Sequence, residues 1–130
     1  MNIYYHPLYT KGIDSKSTFP KERYDLIKEQ LVVSELSNII TIKTPTEVEI
    51  EDIYRAHAKE YVDAFLNSDL SEKQVREIGL KPWTNKIIQR TLLLTGGSLC
   101  ALDDIYNGAA VAANMAGGTH HAFRDRGSGF

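Results

Sequence analysis

The chain has 130 residues, of which 25% are charged and 42% hydrophobic, and its formal net charge is −2. That is room for one domain with a modest core, and no basic excess argues for nucleic acid or an anionic membrane surface as a partner. The single cysteine, Cys100, rules out an intrachain disulfide and a zinc site built from cysteines, and suits a reducing, cytoplasmic setting.

The opening "MNIYYHPLYTKG" has neither a charged leader nor a long apolar run, so it does not read as a signal peptide. No stretch approaches the roughly 20 apolar residues that span a membrane. The run Asn2 to Tyr5 is β-prone and stops at His6-Pro7, which predicts a first strand. "YTKGIDSKST" is polar and contains glycine, which predicts a loop. Pro20 sits where a helix can start, because its missing N–H would be unpaired there anyway. Tyr24, Ile27, Leu31 and Leu36 then fall near helical spacing, which predicts a helix from about Lys21 to Ser37. Ile39 to Pro45 is β-branched and ends in proline, a second strand.

Ile50, Ile53, Tyr54 and His57 share one helical face, and Tyr61, Phe65 and Leu66 continue into a second helical piece. Ser71 to Gln74 matches a capping box, with Gly79 and Pro82 ending the short helix behind it. Thr84 is placed to cap a longer helix, Asn85 to Tyr106. In it Ile88, Thr91, Thr95, Leu99, Leu102 and Tyr106 recur every three or four residues, and Asn107-Gly108 forms the stop. Gly96-Gly97 inside this helix costs about 1 kcal/mol per glycine against alanine, which points to close packing against a neighbouring element. Ala109 to Asn114 shows no polar alternation, as in a strand covered on both faces of a parallel sheet. Strand, helix, strand, helices, strand is an α/β pattern.

The last strand leads into "MAGGTHH", and ligand sites in open α/β sheets collect beyond the carboxyl ends of strands. His120 and His121 are therefore the sharpest chemical signal. Adjacent side chains on a strand face opposite ways, so both can serve one site only from a loop, for which Gly117 and Gly118 supply the freedom. Histidine is the natural general base near neutral pH. By itself an HH dipeptide is a weak signal, and the plainer reading is two loop histidines that are solvated or hydrogen-bonded. His57 reads as a satisfied structural residue on its helical face. His6 stands after the first strand, near the sheet's carboxyl edge. Cys100 reads as a small packing residue, and Asp103-Asp104 as a solvated pair. No Asp-x-His, His-x-x-x-His or other compact set of metal ligands is present, whereas a metallohydrolase needs about three.

"AANMAGGTHHAFRDRGSGF" resembles the signature segment of the histone deacetylase superfamily, which includes acetoin-utilisation proteins and acetylpolyamine amidohydrolases. "FPKERYDLIKEQL" is similar to that family's early proline-led helix. "IYRAHAKEYVDAFL" is similar to its His-x3-Tyr segment, here His57 and Tyr61. "LSEKQVREIGLKPW" with "RTLLLTGGSLCALD" looks most like the bacterial branch related to class IV deacetylases. The resemblance implies a three-layer α/β/α sandwich around a mainly parallel sheet, as in arginase. It implies hydrolysis of N-acetyl-lysine, or of a related small acetylated amine, by a zinc-activated water. Residue by residue, it makes His121 the general base and His120 its electrostatic partner. Gly129 and Phe130 would line the acyl-lysine tunnel, and Gly118 would shape the wall beneath the histidines.

The family's metal ligands, an Asp-x-His pair and a later aspartate, have no match in this sequence, nor has the tyrosine that polarises the substrate carbonyl. The resemblance thus covers about the first third of such a domain. Residues 1–130 read as the incomplete N-terminal segment of one deacetylase-like domain, with no zinc expected on this segment alone. Two readings follow: part of a zinc-dependent deacetylase, or a non-catalytic remnant serving as a binding or assembly module. Either predicts that the chain self-associates or joins the remainder of the domain, because the Ala109 to Asn114 strand would form an uncharged edge.

Overall fold

The computed structural model describes residues 1–13, 20–80, 83–118 and 121–129. Three short strands, β1 (Asn2–Tyr4), β2 (Thr41–Lys43) and β3 (Ala112–Asn114), form a single all-parallel sheet in the order β2-β1-β3. In register, Asn2 stands beside Thr41 and Ala112, Ile3 beside Ile42 and Ala113, and Tyr4 beside Lys43 and Asn114. The carboxyl ends of all three strands therefore open on the same edge. Parallel neighbours need crossover connections. The first crossover holds α1 (Leu8–Lys11) and α2 (Arg23–Val33), and the second holds α3 (Ile50–Ala56), α4 (Lys59–Leu66), α5 (Glu72–Ile78) and α6 (Asn85–Tyr106). The α/β class read from the sequence is the class observed. Among the described residues no helix is long and apolar enough to cross a membrane.

The structure departs from the sequence expectation first at element boundaries. The segment expected to be loop begins with α1, because Pro7 sits at its N-cap with φ −56° and Tyr9 is driven into the core at 0% exposure. Residues 14–18 of that expected loop lie outside the described residues, as does Pro82. The helix expected to reach Ser37 ends at Val33. Ser34 is extended, and its hydroxyl accepts from the Leu36 amide at 3.2 Å to open a separate 3-10 turn, Glu35–Asn38. Of the proposed face only Tyr24 is buried, and Ile27 and Leu36 are exposed. The third strand is shorter than Ala109 to Asn114 and starts at Ala112.

α6 is the spine of the molecule and packs on β1 and β3. Its buried residues are Ile87, Ile88, Arg90, Leu92, Leu93, Leu94, Gly96 and Gly97. This differs from the expected stripe, in which Thr95 and Leu102 are exposed and Tyr106 is 82% exposed. The helix is enclosed on most sides in its first half and solvated in its second, so a single periodic stripe does not describe it. The two central glycines do what their cost suggested. A Cβ on Gly96 would strike the Thr46 carbonyl oxygen and lie 2.9 Å from the Val48 nitrogen. A Cβ on Gly97 would lie 2.7 Å from both the Asn114 Oδ1 and the Tyr9 hydroxyl. The C-terminal half is tied to the sheet by Asp104, which is not a free surface carboxylate. It accepts from Asn2 Nδ2 and from the Tyr4 hydroxyl, each at 2.9 Å, and pairs with Lys43 at 3.7 Å. Burial, then the bond to Asp104, pushes the Tyr4 phenol up to about 12.

Candidate functional site

The site is built outward from Asn114, the last residue of β3. Its amide donates to the Leu94 carbonyl at 2.8 Å and to Ser98 Oγ at 3.2 Å, and its Oδ1 accepts from the Tyr9 hydroxyl at 2.9 Å. These bonds fix where the strand releases the chain. Met115 then donates to the Tyr4 carbonyl at 2.9 Å, and Ala116 is buried. Gly117 and Gly118 follow in the open, with nothing within 4 Å of where a side chain would stand. His120, singled out from the sequence, and Phe130 lie outside the described residues.

His121 is described and half-buried. The chain beyond it folds into a tight hairpin. Ala122 bridges Gly127 antiparallel, Phe123 donates to the Arg126 carbonyl at 3.1 Å, and the Arg126 guanidinium lies 3.9 Å over the Phe123 ring. Three helices grip this hairpin. At the α3–α4 junction, His57 Nδ1–H donates to the Phe123 carbonyl at 2.9 Å and the Ala58 amide donates to Arg124 O at 2.8 Å. From α4, Tyr61 stands against Gly127, and burial pushes its phenol up. From α5, the Glu77 carbonyl accepts from the Gly129 amide at 2.9 Å.

Two glycines make this grip possible. A Cβ on Gly127 would lie 2.9 Å from the Tyr61 hydroxyl and 3.0 Å from Ile78 Cγ1. Gly129 has φ +83°, a conformation glycine adopts freely. A Cβ there would enter the His121 ring, 2.5 Å from Cγ and 2.9 Å from Nε2. Of the residues expected at the site, the structure thus brings His121 and Gly129 into direct contact, while Gly118 faces open space.

His57 and Tyr61 read from the sequence as a structural histidine and part of a family segment. Their service to the hairpin has no periodic signature, since the partners are backbone atoms some 60 positions away. α5 carries an intact capping box, Ser71 with Gln74, and ends at Gly79 in the left-handed conformation. Its role as the platform for residue 129 is visible only in three dimensions. Behind the hairpin is a cavity of about 270 Å³ whose lining includes Ile53, Phe65, Leu66 and Leu92, with His57 and Arg126 also on its wall. His6, after β1, accepts at Nδ1 from the Leu8 amide at 3.1 Å and helps turn the chain into α1. Among the described residues no group of three or more His, Cys, Asp or Glu side chains is arranged to hold a metal ion.

Comparison with known proteins gives the family. The family model for the histone deacetylase domain matches residues 17–130. The chain is similar to an uncharacterized protein of Picosynechococcus sp., 35% identical over 129 residues, covering 98% of this chain and 42% of that protein. It is also similar to the acetoin utilization protein AcuC of Bacillus subtilis, 31% identical over 115 residues, covering 82% of this chain and 29% of that protein. The chain therefore spans well under half the length of the curated relatives it matches. A match over residues 17–130 takes in α2, the whole second crossover and the hairpin that carries His121, and the chain belongs to the histone deacetylase family.

Proposed function

We propose that this chain carries the general acid–base segment of a zinc-dependent deacetylase acting on N-acetyl-lysine or small acetylated amines. The observation that supports it best is the mounting of His121. A half-buried imidazole follows the carboxyl end of a parallel strand, packs on a residue without a side chain, and stands on a hairpin held by α3, α4 and α5. A general base is useful only when its ring is held in one orientation toward the proton it takes.

In this reading His121 takes a proton from the water that attacks the acetyl carbon. The amine leaves protonated, and acetate is the second product. His120 stabilises the charge that develops in between. No group among the described residues fits a zinc site, so in this reading the metal would be held by other residues of the family-length protein. Substrate contact by Gly129 and Phe130 in the acyl-lysine tunnel belongs to the same proposal. The whole activity is proposed for the family-length protein, and this chain by itself is expected to show no turnover.

The test is His121→Ala in a family-length protein containing this segment, assayed on an acetyl-lysine peptide. Loss of a general base costs about 10²–10⁴-fold in rate, so kcat should fall by that amount with little change in peptide binding. Near wild-type turnover would refute the assignment.

A further inference from the structure

We infer that Gly129 is a positioning residue for the His121 imidazole, and that it holds its place through α5. The inference rests on the reading of His121 as the base but concerns a contact that can be measured without turnover.

Three observations converge on it. The space a side chain at 129 would need is already taken by the His121 ring, which comes within 2.5 Å of the ideal Cβ at Cγ and 2.9 Å at Nε2, and closer at Cδ2. That is well inside the closest approach of real carbon atoms, so ring and side chain exclude each other. The backbone at 129 has φ +83°, which turns its Cα toward the ring, and an L side chain there would be strained in any case. The same residue's amide donates to the Glu77 carbonyl at 2.9 Å, in the last turn of α5.

Gly127, two residues earlier, is hemmed in by Tyr61 and Ile78, so the segment 127–129 lies close against the helices. The geometry thus links a capped helix to a backbone amide, that amide to a bare Cα, and that Cα to one edge of an imidazole. His121 has a further interaction of its own. Gly129 adds a wall that limits how the ring can tilt. Its contribution is orientation, since a glycine offers the ring neither a proton nor a charge.

The experiment uses the 130-residue chain and solution NMR. In the wild type, the ring Hδ2 of His121 should show nuclear Overhauser contacts to the Gly129 α protons, and those protons should carry a ring-current shift that disappears in His121→Ala. Absence of both signals overturns the inference. Gly129→Ala should displace the His121 ring resonances.

Gly108→Ala is the control for backbone strain. Its φ is +95° and nothing lies within 4 Å of its side-chain position, so it should leave those resonances in place. Equal displacement by both variants, or none by Gly129→Ala, overturns the inference. A double-mutant cycle covers the case in which Gly129→Ala is too unstable for spectroscopy. The unfolding equilibrium should worsen at least tenfold more when Gly129→Ala is made in the wild-type chain than when it is made in the His121→Ala background. Equal penalties in the two backgrounds would mean that the ring and residue 129 do not contend for one space. Because none of these readings needs substrate or metal, they stand or fall separately from the deacetylase assignment.

Discussion

Alanine at position 97 tests the packing of α6 on the sheet. By helix propensity alone, glycine to alanine in a helix interior gains about 1 kcal/mol. The structure opposes that gain. The new methyl would stand 2.7 Å from Asn114 Oδ1 and from the Tyr9 hydroxyl, and 2.9 Å from Asn114 Cγ. Tyr9 has no exposed surface through which to retreat, and its hydroxyl also lies 3.2 Å from the Leu93 carbonyl. Overpacking of a filled core costs about 1–3 kcal/mol. Separating Tyr9 from Asn114 would take from Asn114 Oδ1 the hydroxyl that donates to it, at about another 1–3 kcal/mol. The sum predicts a net loss of about 1–5 kcal/mol despite the better helix former.

Gly96→Ala should cost more still. The Thr46 carbonyl in its way is backbone, and moving it also strains the Val48 amide bond to the Leu92 carbonyl at 3.3 Å. Urea unfolding followed by far-UV circular dichroism measures both. With m near 1–3 kcal/mol/M, the midpoint should fall by roughly 1 M for Gly97→Ala and further for Gly96→Ala. Thr95→Ala, on the exposed side of the same helix, should change it little. A Gly97→Ala chain as stable as the wild type would show that α6 does not approach β3 and Tyr9 this closely.

Other expectations follow from single contacts. Ser71→Ala removes the cap of α5 and should cost about 1 kcal/mol, with the Gln74 amide losing protection in hydrogen exchange; an unchanged exchange rate would refute the capping role. The Asp104 carboxyl is held below its ordinary value by the hydrogen bond from Asn2, then by Tyr4 and Lys43. Its stabilisation is therefore present above about pH 4, the ordinary carboxylate range, and is lost as pH falls through the depressed folded value. Asp104→Asn should make the urea midpoint less sensitive to acid, and an identical pH profile would refute this. Leu99, Leu102, Ile105 and Tyr106 on the second half of α6 are exposed together with Val111. We expect self-association, read as a concentration-dependent sedimentation coefficient; a monomer that stays monomeric across micromolar concentrations would refute it.

The order of elements was legible because each carries a local signal. A β-prone run marks β1, β-branched residues mark β2 and a short run without polar alternation marks β3, while Ser71-x-x-Gln74 and Gly79 mark both ends of α5, and Gly108 at φ +95° follows α6. The buried side of α6 was not legible, because its most constrained positions have no apolar signature. Gly96 and Gly97 are buried by what they lack. Arg90 is 3% exposed yet charged, and its Nε donates to the Tyr9 carbonyl at 3.1 Å. Leu102 and Tyr106 fit the helical period and are exposed. Periodicity records which residues tolerate burial, whereas the observed face is set by which neighbours come close.

The site divides along the same line. The residue types suited to acid–base chemistry, and the double glycine before them, can be picked out of a linear sequence because reactivity belongs to the side chain. Much of what holds His121 cannot, because beside the His57 imidazole and Tyr61 it is made of backbone: the carbonyls of Phe123, Arg124 and Glu77, the amides of Ala58 and Gly129, and the empty Cβ positions at 127 and 129. None of these groups depends on residue identity except where a side chain is forbidden. The consequence is asymmetric. Substitutions at Glu77 that keep its carbonyl in place should leave the hairpin standing, whereas adding a single methyl at Gly127 or Gly129 must move Tyr61, Ile78 or His121. The positions that orient the proposed base are therefore those where the sequence has the least to show, and glycine is the only trace they leave in it.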